Sequence, residues 1–176
     1  MKGWAILTVV PVLVALGATP AGAVDATPDS AAGAVALFMQ SCVRFATDTQ
    51  GLRDWVKTAG FPEVPASRAD DFLDGLPGAA YDASGGKLSM VLVSEDAGSC
   101  SVVADAVKGP ELIGALEQNL RGAKINFTAT DDPPDPQVKD LNNREYSASA
   151  DQRSWHMLVS TVKDPAGGEA VLTTNP

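Results

Sequence analysis

Cys42 and Cys100 stand 58 residues apart in a chain of 176 residues that holds no other cysteine. That pair constrains the fold more than any other feature of the sequence. Two thiols are too few for a zinc ribbon or a thiolate cluster, and their separation excludes a C-x-x-C redox motif. Whether they join depends on the compartment, which the first residues indicate. Lys2 precedes an apolar run from Trp4 to Leu16, shorter than the roughly 20 residues that a membrane-spanning helix requires. Ala21 and Ala23 then supply the small-residue pattern that a signal peptidase accepts. Pro11 and Pro20 interrupt the segment and no stop-transfer charges follow, which argues against a retained anchor helix. The sequence therefore predicts a signal peptide over 1–23, cleaved after Ala23, and a single domain over 24–176 with no membrane span. The expected location is the periplasm or the outside of the cell. In such an oxidising compartment two cysteines allow one pairing, Cys42 with Cys100. Closing a loop of this size stabilises a domain by about 4 kcal/mol in the chain-entropy account. The sharper alternative makes Cys100 a nucleophile with His156 as its base. Neither cysteine sits in a catalytic signature, and the strand-like surroundings of Cys100 lack the helix N-terminus that commonly lowers a thiol pKa.

Apolar residues repeat with a helical period before Gly75 and mostly alternate after it. Val35, Phe38, Cys42 and Phe45 form one face of a helix, for which Thr27, Pro28 and Asp29 make a favourable start. A disulfide from Cys42 would tie this helix to the layer beneath it. Leu52, Trp55, Val56 and Ala59 mark a second, shorter helix, with Gly60 suited to a left-handed cap and Phe61-Pro62 beyond it. A third helical turn is expected over 68–74, stopped by Gly75. Strands are then expected over 79–82, 87–94 and 99–106, separated by Ser84-Gly85-Gly86 and Glu95-Asp96-Ala97-Gly98. One helix interrupts them, opened by Gly109-Pro110-Glu111, carried by Leu112, Ile113, Leu116 and Leu120, and closed by Gly122. Strands resume over 124–130, 144–149, 155–162 and 169–173. Trp155, Met157, Val159 and Thr161 alternate with His156, Leu158, Ser160 and Val162, and apolar groups on both faces point to an interior strand. The expected architecture is α+β: N-terminal helices packed on a mainly antiparallel sheet, with one further helix inserted between strands and one disulfide. A doubly wound parallel sheet would need helices between most strands, and the sequence offers one such crossover.

Charge narrows the function classes. The formal net charge of -9 and the pI near 4.4 make this an acidic protein. That argues against nucleic acid and anionic lipid as partners, since both are bound by Lys and Arg displacing counterions. Asp131, Asp132 and Asp135 supply hard oxygen donors for calcium, but three prolines stiffen that loop and the spacing differs from an EF-hand. Asp70 and Asp74 share a helix face as a repelling pair rather than a poised one. His156, beside Trp155, could act as a general base if a carboxylate oriented it, although a lone strand histidine is more commonly a hydrogen-bonded, partly buried side chain. The S-x-x-K spacing at Ser84–Lys87 and Ser160–Lys163 lacks the companion motifs of penicillin-binding enzymes. Gly85-Gly86-Lys87 reads as a hairpin turn, not a phosphate loop. No cofactor is expected.

Several of these features occur together. The leader, the helix bearing Cys42, the Gly60-Phe61-Pro62 stop, Leu76-Pro77-Gly78-Ala79-Ala80-Tyr81 and Cys100-Ser101-Val102-Val103 resemble small exported bacterial proteins with one disulfide and no assigned activity. The resemblance spans roughly residues 30–105. It implies a periplasmic or secreted protein and transfers no catalytic residue. The leading expectation is a non-enzymatic envelope module, structural or binding a partner protein or envelope component. Two alternatives are a small envelope hydrolase using His156, and a carrier holding an apolar ligand among Phe38, Phe61, Phe72 and Trp155.

Overall fold

The structure, a computed structural model, describes residues 30–133, 140–162 and 167–176. The expected signal peptide and its cleavage point lie outside the described residues, as do Thr27, Pro28, Asp29, Asp135 and Lys163. Helix α1, Ser30–Phe38, runs into a π-helical turn, Met39–Val43. A π-helical turn is wider than an α-helical one, and here three consecutive residues, Ser41, Cys42 and Val43, are all buried. The Ser41 hydroxyl donates back to the Leu37 carbonyl at 2.6 Å, so its burial leaves no donor unpaired. Helix α2, Thr49–Ala59, is capped by the Asp48 carboxylate, which accepts from the Gly51 amide at 2.9 Å. It stops at Gly60, whose φ of 77° favours glycine over any residue with a Cβ. Leu52 and Val56 are its buried residues. Trp55 is half-buried, with its ring 6.1 Å from that of Phe45 and 5.7 Å from that of Phe61. Helix α3, Ala66–Leu73, ends one residue earlier than the glycine signal indicates, because Asp74 itself takes the left-handed conformation at φ 49°.

Beyond these helices lie seven strands: β1 Gly78–Asp82, β2 Met90–Glu95, β3 Cys100–Val107, β4 Asn126–Asp131, β5 Leu141–Ala150, β6 Arg153–Val162 and β7 Gly168–Asn175. They form one sheet in the order β1-β2-β3-β7-β6-β5-β4, and every neighbouring pair is antiparallel. The fold is α+β. Helix α4, Gly109–Gly122, is the insertion between strands; it carries the chain from β3 to the far edge, from which β4 to β7 step back until β7 lies against β3. A Cβ on Gly109 would come 2.9 Å from the Thr161 hydroxyl, so only glycine lets α4 begin this close to β6. Asp151 and Gln152 join β5 to β6 with φ of 50° and 64°, the paired positive values of a two-residue hairpin. The interior position expected for β6 holds, with β7 on one side and β5 on the other.

One face of the sheet carries the main core. Leu92, Cys100, Val102, Tyr146, Trp155, Met157, Val159 and Leu172 meet Phe38, Leu52, Val56, Leu112, Leu116 and Leu120 from the helices. Cys42 and Cys100 are joined in a disulfide across a Cα–Cα distance of 5.3 Å, within the usual range for such a bond. It pins the π-helical turn to β3, as the sequence predicts. Arg53 adds a second clasp beside it. Its guanidinium donates to the Ser94 carbonyl at 3.0 Å and to Asp96 at 2.6 Å, and Ser94 is the register partner of Cys100.

Candidate functional site

Helix α3 stands apart from the other helices. Ala80 and Val93 are register partners whose side chains point away from the main core, because their neighbours Tyr81 and Leu92 point into it. Ala80 and Val93 are nevertheless buried, together with Val64 and Leu73, in a small second cluster. Helix α3 thus packs on the opposite face of the sheet, over β1 and β2. Segment 62–64 leads into it and covers the β1 edge, with the Val64 amide donating to Ala80 at 2.8 Å and the Asp82 amide to Pro62 at 2.8 Å. From β3 onward no helix among the described residues covers this second face, where Asp105, His156 and Glu169 are exposed and Val103, Leu158 and Val171 half-buried.

Where α3 ends laterally, a groove of about 650 Å³ remains between its flank and the open face. Its apolar surface includes Phe72, Val91 and Val103, the last two being register partners on adjacent strands. Among the described residues its charged groups are Glu63, Asp82, Asp105 and Glu169, with Arg68 the one cation. Asp82 accepts from the Ser84 backbone amide at 2.9 Å. Hydrogen bonds from Ser84, side chain first and then backbone, hold this carboxyl below its usual range, and the nearby Arg68 acts in the same direction. No ion pair engages Glu63, Asp105 or Glu169 among the described residues. No group of three His, Cys, Asp or Glu side chains able to hold a metal occurs among the described residues.

The residues singled out in the sequence fall elsewhere. His156 is exposed on the open face, which corrects the expectation of a partly buried, hydrogen-bonded side chain. Leu158 and Val162 on the same face made β6 read as covered on both sides, yet Leu158 is half-exposed and Val162 is 40% exposed. His156 lies in a shallow hollow of about 220 Å³, between its register partners Ser147 and Asn175 and near Glu145. No hydrogen bond or ion pair reaches its side chain among the described residues. A general base needs its orienting partner and its substrate proton within hydrogen-bond reach. Asp131 belongs to the end of β4 rather than to a loop, and its carboxylate receives the Arg144 guanidinium at 2.5 Å. Asp132 follows it, its amide donating to the Asn143 carbonyl at 3.0 Å. The Ser84 hydroxyl is committed to the backbone of Met90, accepting from its amide at 3.1 Å. The four aromatic residues expected to line a ligand cavity are divided: Phe38 and Trp155 belong to the packed core, Phe61 packs half-buried against it, and Phe72 lines the groove on the other face.

The groove escaped the sequence reading, although a trace of it is there. Met90-Val91-Leu92-Val93 and Val102-Val103 put apolar groups on both faces of β2 and β3, which signals something to cover on each side. Nothing in the spacing tells that α3 would cover only part of it. Comparison of the chain with protein-family models, curated proteins and solved structures gives no match.

Proposed function

We propose that this protein is an exported, non-enzymatic binding module of the cell envelope or its surroundings, and that the groove beside α3 receives its partner. The single observation that carries this reading is the half-covered second face: an apolar floor of Phe72, Val91 and Val103 left accessible on a rigid sheet. The disulfide supports export, because such bonds persist where thiols are not kept reduced.

Two measurements on the cells that make the protein test this reading. Fractionation and mass spectrometry should find the product outside the cytosol, beginning at Val24, with both cysteines oxidised. A photo-crosslinking residue at Ser89, on the groove rim, should then form an adduct in that fraction, whereas the same residue at Gln118, exposed on α4, should not. His156→Ala should leave the adduct unchanged. Free thiols on a cytosolic product, or equal adducts at both positions, would overturn the proposal.

A further inference from the structure

We infer that the groove between α3 and the open sheet face takes a cationic peptide segment, its apolar side chains seated on Phe72, Val91 and Val103 and its basic side chains meeting Asp105 and Glu169. This rests on the binding-module reading and names the chemistry of its partner. Among the described residues four carboxylates and one guanidinium line the groove, so the local field selects positive charge. The carboxylates come from separate segments: Glu63 precedes α3, Asp82 ends β1, Asp105 lies on β3 and Glu169 on β7. No group of three side chains able to hold a metal occurs among the described residues. Charges on separate segments suit a ligand whose positive groups are spread as well. Asp82, Val91 and Val103 are register partners across β1, β2 and β3, and Asp105 follows Val103 by two residues, so the apolar floor has carboxylates beside it and the ligand presents apolar groups flanked by basic ones. A stretch of polypeptide with Lys or Arg beside Leu or Val has that pattern, whereas a polyamine has no large apolar side chain for the floor. Asp105 and Glu169 have no cation of their own among the described residues, so binding displaces no internal ion pair at either position.

The experiment uses the oxidised protein and a fluorescein-labelled synthetic peptide alternating lysine and leucine, read by fluorescence anisotropy. Binding should weaken roughly tenfold or more as salt rises about tenfold, because screening acts on exposed rim charges. Asp105→Lys with Glu169→Lys should weaken it by roughly tenfold or more. The charge-matched control, Asp54→Lys with Glu111→Lys on α2 and α4, should change it less than about twofold, which separates the groove from the general field of an acidic protein. Phe72→Ser should weaken binding while the circular dichroism and melting of the protein stay near wild type, since Phe72 is not part of either buried cluster. A peptide with glutamate for lysine should not bind, and spermine should not compete at equal charge concentration. Equal losses in the two charge-reversal pairs, binding of the acidic peptide, or full competition by spermine would overturn the inference. If the lysine peptide fails while the Ser89 crosslinker still captures a partner, the cationic occupant is wrong and the binding module stands.

Discussion

The two meanders of the sheet are anchored to their helices by different chemistry. On the β1–β3 side a covalent bond joins Cys42 to Cys100, and Arg53 ties α2 to the β2–β3 turn at Ser94 and Asp96. On the β4–β7 side no cysteine is present, and Arg144 of β5 does the joining. Its guanidinium reaches Glu117 of α4 at 3.1 Å, Asp131 of β4 at 2.5 Å and the Tyr146 hydroxyl at 3.1 Å. Arg121 completes the arrangement by pairing with Glu117 at 2.7 Å and lying over the Phe127 ring. The first anchor answers to redox conditions, the second to the charges that survive in water. A protein built this way has two independent weak points, one in each half.

Breaking the covalent anchor should have the largest effect. Replacing both cysteines by alanine should lower stability by about 4 kcal/mol, read as a shift in the urea midpoint. Hydrogen exchange should then rise first in the helices Ser30–Ala59 and in β1 to β3; a loss of protection equal in both halves would refute their independence. Arg144→Met comes next, at about 2 kcal/mol, because it leaves the mostly buried Glu117 short of a partner while the exposed Asp131 loses little. Its exchange signature should appear in α4, β4 and β5 instead. Alkaline pH gives a third, smaller contrast, since each half holds one of the two tyrosines. Burial raises the pKa of Tyr81 and of Tyr146, and Arg144 partly offsets the rise at Tyr146. Both contributions are fully present below the unfolded pKa of about 10 and are lost as pH climbs through the folded values, at up to about 1.4 kcal/mol per pH unit for each phenol. Phenolate absorbance should therefore lag behind that of free tyrosine, and Tyr146→Phe should remove one share of the alkaline loss while Tyr81→Phe removes the other. Smallest of all, Lys57→Ala and Lys108→Ala should each change the urea midpoint by less than about 0.5 kcal/mol equivalent. Both lysines are exposed members of surface pairs, one in each half.

The first anchor was readable in the sequence and the second was not, for a physical reason. Two cysteines in a chain that holds no others have one way to pair, and the helical stripe through Val35, Phe38 and Cys42 already says which face the sulfur occupies. Glycine and proline at 60–62 stop α2 where local chemistry requires it. Arg144, in contrast, meets Glu117 and Asp131 only because α4 delivers the chain to the far edge of the sheet. The same holds for the groove, whose Glu169 arrives from β7 and whose Phe72 arrives from α3. Alternation along β6 revealed two faces but not which one the helices would cover, so His156 was read as sheltered when it is exposed. Local periodicity reports an element; the partner across the sheet is a property of topology.

The seat of β7 between β3 and β6 also sets a timetable. A polypeptide that emerges from its leading end delivers both cysteines long before this strand, so the cross-link can be sealed early. The sheet cannot close until the seventh strand emerges, and meanwhile β3 and β6 each present a bare row of amides and carbonyls. Newly emerged molecules thus pass through a window in which they can pair with one another. In that interval an early cross-link fastens Cys100, at the start of β3, to the helical layer.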